Sequence, residues 1–250
     1  MVYRDLSIFS GTAHPELAHA VCGYLGVPLG KAEVVKFSNE NIFPKISQNV
    51  REHDVFVIQP TFPDVSDSIL ELLIMMDALK RASASRITAV VPYFSYARSD
   101  KKDQPRVPIT ARLIADMVGA SVAFVEKRRL GNNSSSEQLG VIGDVRGKSA
   151  IIIDDEIDTA GSIVGAAEIV KREGARSVFA ACTHALLTGP AIDRLSRSPI
   201  EELIVTDTVV QPLRKRLPNM TILSVSLLLG EAISRIHTGE SVGAMFGAPV

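Results

Sequence analysis

Short aliphatic runs alternate with stretches of helical period along most of the chain. Residues 6–9, 34–37, 54–59, 86–92, 122–126, 150–153, 177–182, 202–206 and 221–225 read as strands. Helical spacing of apolar residues fills 15–25, where Gly26 stops it, then about 68–82, 109–118, 163–173, 190–195 and a closing stretch at 226–237. In the second of these helices Ser68 and Glu71 have capping-box spacing, and Ile69, Leu72, Leu73, Met76 and Leu79 fall on one face. The segment Ser38-Asn39-Glu40-Asn41 reads as an Asn-rich turn. Alternation of this kind predicts an α/β architecture with parallel strands covered on both faces.

Composition narrows the classes. A chain of 250 residues that is 46% hydrophobic can bury one large core or two modest ones. Its formal charge of −1 argues against nucleic acid or an anionic membrane as main partner, and the basic patch Arg214-Lys215-Arg216 is read as solvated. Cys22 and Cys182 lack metal-ligand spacing and read as small buried residues in a reducing compartment. With no apolar leader and no membrane-spanning run, the expected location is the cytoplasm.

The richest stretch is 149–164, SAIIIDDEIDTAGSIV. Ala150 to Ile153 look like a buried parallel strand, and the chain then enters an acidic turn ending in Thr159-Ala160-Gly161-Ser162. Gly161 permits close approach of a ligand to the backbone, Thr159 and Ser162 add hydroxyl donors, and the following helix directs its positive end at a bound anion. Asp154 and Asp155 are suited to sugar hydroxyls or to a magnesium ion shared with phosphates. Phosphate beside polyol indicates a phosphorylated sugar. The plainer alternative is a loop in which Asp158 or Thr159 caps the helix.

A second stretch, 92–108 (PYFSYARSDKKDQPRVP), follows a strand directly. Tyr93, Phe94 and Tyr96 suggest a stacking wall for a base, and Arg98, Lys101, Lys102 and Arg106 a mobile cationic clamp for polyphosphate. Lys127, Arg128 and Arg129 end the strand 122–126.

The turn DDEIDTAGS resembles the phosphoribosyl pyrophosphate (PRPP) loop shared by type I phosphoribosyltransferases and ribose-phosphate pyrophosphokinases. With KFSNEN, PYFSYARSDKK and LSVSLLLGEAISRIH also present, the chain is similar to the pyrophosphokinases from residue 8 to 246. That resemblance implies two phosphoribosyltransferase-type domains: 1–120, carrying the ATP loop, and 121–250, carrying the ribose 5-phosphate/PRPP loop and truncated at its start. It implies Lys127 and Arg129 as catalytic cations, with Arg129 also on ribose 5-phosphate. ATP would meet Phe37, Asn39, Glu40, Asn41, Arg98 and Ser99, across a subunit boundary. Ribose 5-phosphate would meet Asp154, Asp155, Asp158, Thr159, Ala160, Gly161 and Ser162. Mg²⁺ is the implied cofactor and a hexamer the implied assembly. Between Val118 and Val122, however, several dozen family residues are lacking, among them a histidine and an aspartate that serve the metal, so the metal ligands are unknown. Three functions are weighed: ribose-phosphate diphosphokinase; a catalytically silent homologue or associated regulatory subunit; and, behind these, a phosphoribosyltransferase that uses PRPP and a base.

Overall fold

The computed structural model of the protein describes residues 5–99, 106–119 and 144–246. The chain divides into two compact units, the first formed by Met1–Gly119, Asp207–Val210 and Ser224–Val250, the second by Ala120–Thr206 and Gln211–Leu223.

Unit 1 is built on a parallel sheet in the order β1 (Leu6–Ser10), β4 (Asp54–Ile58), β5 (Arg86–Val90). Alternate side chains serve opposite layers. Ile8, Phe56 and Ile58 pack with Leu17, Val21 and Leu25 of α1 (Pro15–Leu25) and with Ile233 of α6 (Ser226–Thr238). Phe9, Val55 and Val57 pack with Leu72, Met75 and Leu79 of α2 (Val65–Arg81). Such strands are apolar throughout because both faces are dry. Although α6 follows unit 2 in sequence, it lies on α1: Gly230 leaves room for the Tyr24 ring, which a β-carbon there would meet at 2.3 Å, and the Tyr24 hydroxyl donates to Glu231 at 3.1 Å.

Two elements depart from the sequence-based expectation. The turn 38–41 closes an antiparallel hairpin of β2 (Ala32–Lys36) and β3 (Ile42–Ile46), in which Pro44 pairs opposite Val34. Pro44 disguises β3, yet a two-stranded ribbon tolerates a residue without an N–H. Helix α2 begins a turn earlier than Ser68, after Asp64, and the Ser68–Glu71 capping box does not form. Both residues are buried on the helix face, and Glu71 instead accepts the Thr12 N–H and hydroxyl, each at 2.6 Å. Helix α3 (Thr110–Val118) ends at Gly119 in the left-handed conformation.

Unit 2 contains a four-stranded parallel sheet ordered β6 (Ser149–Ile157), β7 (Ser177–Ala185), β8 (Glu202–Thr206), β9 (Met220–Leu223). Its helices are α4 (Gly161–Arg172) and the short α5 (Ala191–Ser196). One sheet face carries Val178, Ala180, Cys182, Leu203 and Val205, all buried with Ile163 and Ala167 of α4 and Leu195 of α5. Register places Ile151 beside Phe179 and Ile153 beside Ala181 on the other face. There Ile151 is 55% and Ile153 75% exposed, so among the described residues β6 is parallel but covered on one side only. An aliphatic run tells that a strand can be covered twice; whether it is depends on elements elsewhere in the chain.

Candidate functional site

Strand β6 runs past its aliphatic part through Asp154, Asp155 and Glu156 to Ile157. Asp154 and Asp155 are exposed at this carboxyl end, where ligands of parallel sheets bind, and Asp154 Oδ1 accepts the Asp155 N–H at 2.9 Å. The chain then turns sharply. Ala160 takes φ 61° and ψ 10°, a left-handed conformation that costs a residue with a β-carbon about 1 kcal/mol, and α4 starts at Gly161. The first intrahelical bond is Val164 N–H to Ala160 O at 3.1 Å. The N–H groups of Gly161, Ser162 and Ile163 therefore come before that bond and have no partner within the helix.

No side chain caps this helix, which removes the capping role for Asp158 or Thr159. Asp158 is engaged elsewhere: its Oδ1 accepts the Thr188 hydroxyl, and its carbonyl accepts the Thr188 N–H at 2.9 Å. A carboxylate is acceptor-only, so a phosphate in this turn would be met by the Asp158 backbone rather than by its side chain. The Thr159 carbonyl accepts Arg194 Nη1 at 3.0 Å. Thr188, Arg194 and Lys215, whose ammonium donates to the Leu186 carbonyl at 2.7 Å, come from segments 30 or more residues downstream. Burial, and then neighbouring Arg214, lower the Lys215 pKa. No spacing in the sequence marked Thr188 or Arg194, and Lys215, read with Arg214 and Arg216 as a solvated patch, is instead half-buried and bonded to the main chain.

In unit 1, Phe37, Asn39, Glu40 and Asn41 share the exposed hairpin tip, closed by Glu40 N–H to Phe37 O and Phe37 N–H to Asn41 O, both 2.9 Å. Phe37 packs against Phe43 across the hairpin, ring centroids 5.8 Å apart. Lys36 pairs with Asp67 at 2.8 Å and Glu40 at 3.3 Å, and those hydrogen bonds, Asp67 first, raise its pKa. A cavity of about 500 Å³ lies between the hairpin and the start of α2. Arg98 is exposed, and the Ser99 carbonyl accepts the N–H of Ala111 in α3 at 3.2 Å. Tyr93 is not available to stack on a base: it is buried, edge-on to Phe62, and its carbonyl accepts the Thr61 N–H at 2.9 Å and hydroxyl at 3.1 Å.

Lys127 and Arg129, together with Lys101 and Lys102, lie outside the described residues. Among those described, no three His, Cys, Asp or Glu side chains form a group able to hold a metal, and no helix is long and apolar enough to cross a membrane. Cys22 and Cys182 are buried free thiols, pushed up to about 11 and about 12 chiefly by burial. His184 at the end of β7 is lowered, mainly by burial.

Comparison with known proteins covers the whole of this arrangement. Residues 6–121 match the N-terminal domain of ribose phosphate pyrophosphokinase, and residues 97–247 match the phosphoribosyl synthetase-associated domain. The ribose-phosphate pyrophosphokinase of Campylobacter jejuni is 38% identical over 310 residues, which span 97% of this chain and 99% of that protein. The chloroplastic ribose-phosphate pyrophosphokinase 1 of rice, Oryza sativa, is 39% identical over 308 residues, with 95% of this chain and 78% of that protein spanned. The crystal structure of phosphoribosylpyrophosphate synthetase from Mycobacterium smegmatis aligns with a TM-score of 0.83 at 32% identity, covering 94% of this chain and all of that one. Since 97% of 250 residues is about 242, a span of 310 leaves roughly 68 positions of the Campylobacter protein with no counterpart here.

Proposed function

The chain belongs to the ribose-phosphate pyrophosphokinase family, and we propose that it transfers the β,γ-diphosphoryl group of Mg-ATP to the anomeric hydroxyl of ribose 5-phosphate, giving PRPP and AMP. The observation that carries this proposal is the turn between β6 and α4. Its left-handed Ala160 and glycine-started helix leave the first amides of α4 without partners in the helix, next in the chain after the exposed carboxylates of Asp154 and Asp155.

In this mechanism the 5-phosphate rests on the amides of residues 160–162 and the hydroxyls of Thr159 and Ser162, while Asp154 accepts from the ribose hydroxyls. The anomeric oxygen bonds to the β-phosphorus as the bond from that phosphorus to the α-bridging oxygen breaks. AMP leaves with that oxygen, and the anomeric proton passes to solvent. Negative charge spreads over nonbridging oxygens, and Lys127 and Arg129 supply the cations that stabilise it. Phe37 and Asn39 to Asn41 of one copy, with Arg98 and Ser99 of another, hold ATP in a homo-oligomer. Mg²⁺ bound with ATP would supply charge neutralisation for the phosphates. Asp154 and Asp155 are the residues that would hold it, since exposed carboxylates are the oxygen donors Mg²⁺ takes. Two buried, unbridged thiols suit a reducing, cytoplasmic setting.

One observation favours a second function. The roughly 68 positions lacking a counterpart would include, by sequence motif, family residues that serve the metal. A chain without them would bind ribose 5-phosphate and assemble, but not turn over. The separating experiment mixes Mg-ATP with ribose 5-phosphate and measures AMP, with Lys127→Ala as control. AMP formation abolished by that substitution supports the enzyme. Ribose 5-phosphate binding without AMP supports the silent homologue.

A further inference from the structure

The β6–α4 turn is held from outside by two side chains that no sequence motif singles out. Asp158 is fixed twice by Thr188, through its carboxylate and through its carbonyl. Thr159 is fixed by Arg194, whose Nη1 donates to its carbonyl at 3.0 Å. The next residue is Ala160, the one that must hold an unfavourable left-handed conformation. We propose that Thr188 and Arg194 are positioning residues: they form a brace that sets this turn in its anion-receiving shape before any ligand arrives.

The chemistry follows from the peptide unit. Anchoring the Thr159 carbonyl fixes the plane of the Thr159–Ala160 peptide and so the direction of the Ala160 N–H. Anchoring Asp158 fixes the residue before it and holds its negative charge on a hydroxyl donor. Arg194 belongs to α5, whose Ala191 and Leu195 are buried against the core that also contains Ile163 of α4. The brace thus starts from a packed helix and ends on the turn. A preformed site loses less ordering entropy on binding than one that must fold around its ligand.

The brace rests on the proposed sugar-phosphate function only for its consequence, and the test separates the two. Hydrogen exchange is measured on the ligand-free protein, followed by calorimetric titration with ribose 5-phosphate and, separately, with ATP. The variants are Arg194→Ala, Arg194→Lys and Thr188→Val. Loss of one charge-assisted bond should raise exchange at Val164, whose amide closes the first turn of α4, about tenfold in Arg194→Ala. Exchange in β8 should stay unchanged, and Arg194→Lys should recover part of the protection. Ribose 5-phosphate affinity should fall by a similar factor while ATP affinity holds. Unchanged exchange at Val164 in both Arg194→Ala and Thr188→Val overturns the brace, as does a rise spread evenly over unit 2. If the parent protein fails to bind ribose 5-phosphate, the proposed function fails, and the exchange data still decide the brace.

Discussion

Gly161→Ala separates the stability of the β6–α4 turn from its use. Gly161 opens α4 and does not occupy the left-handed region, so alanine can adopt its backbone without strain. A β-carbon there would meet only Arg194 Nη1, at 3.4 Å, among the described residues, an ordinary contact with the end of a flexible side chain. Replacing a helical glycine by alanine adds about 0.5–1 kcal/mol, less the small cost of that contact. The folded protein should therefore be as stable as the parent or slightly more so. The added methyl nevertheless stands where an anion must approach the amides of Gly161 and Ser162. Losing one or two hydrogen bonds to a charged group costs about 1.5–3 kcal/mol, or roughly 10- to 100-fold in affinity. Urea unfolding together with calorimetric titration of ribose 5-phosphate reads both quantities. Unchanged affinity would refute the close backbone approach, and a large loss of stability would refute the start of α4 at Gly161.

Other expectations concern the framework around the site. Asp54 on β4 is bonded by Arg86 and by His237 Nδ1, the latter at 2.8 Å, so it ties the end of α6 to the sheet. Burial pushes its carboxyl up, but the Arg86 and His237 bonds outweigh this and leave the pKa lowered. Its contribution is therefore present above the ordinary carboxylate pKa of about 4 and lost as pH falls through the lower folded value. Asp54→Asn should cost about 1–2 kcal/mol at pH 7, discounted for the half-exposed Arg86, and the gap to the parent should narrow in urea melts near pH 3. On β6, Ile152→Ser should cost about 2–3 kcal/mol because Ile152 packs on the unit 2 core. Ile153→Ser, on the open face, should stay within about 0.5 kcal/mol, and equal losses would mean that both faces are covered.

Local signals are reliable where one residue decides the geometry. Proline at the first helical position and glycine past the last set the limits of α1 at Pro15 and Leu25, and Gly26 is indeed left-handed. The parallel α/β layering followed from the alternation of strands and helices. The sequence is ambiguous where one pattern has two physical meanings. Ser68 and Glu71 are spaced for a capping box, but residues three apart also share a helix face, and here that face is buried toward Thr12. Pro44 argues against a strand in general, though not in a two-stranded ribbon. Within the candidate site, the loop motif was legible because its chemistry is contiguous. Thr188 and Arg194 were not, since only the fold brings residues 30 and 35 positions away onto Asp158 and Thr159.

The central claim is that this shortened chain still moves a diphosphoryl group as one piece, and ATP labelled at the β-phosphorus tests it most directly. With ribose 5-phosphate and magnesium, the label should appear in the sugar product in step with AMP, and Lys127→Ala should abolish both. Release of γ-phosphate alone, or no transfer of label from a protein that binds both substrates, would contradict the account.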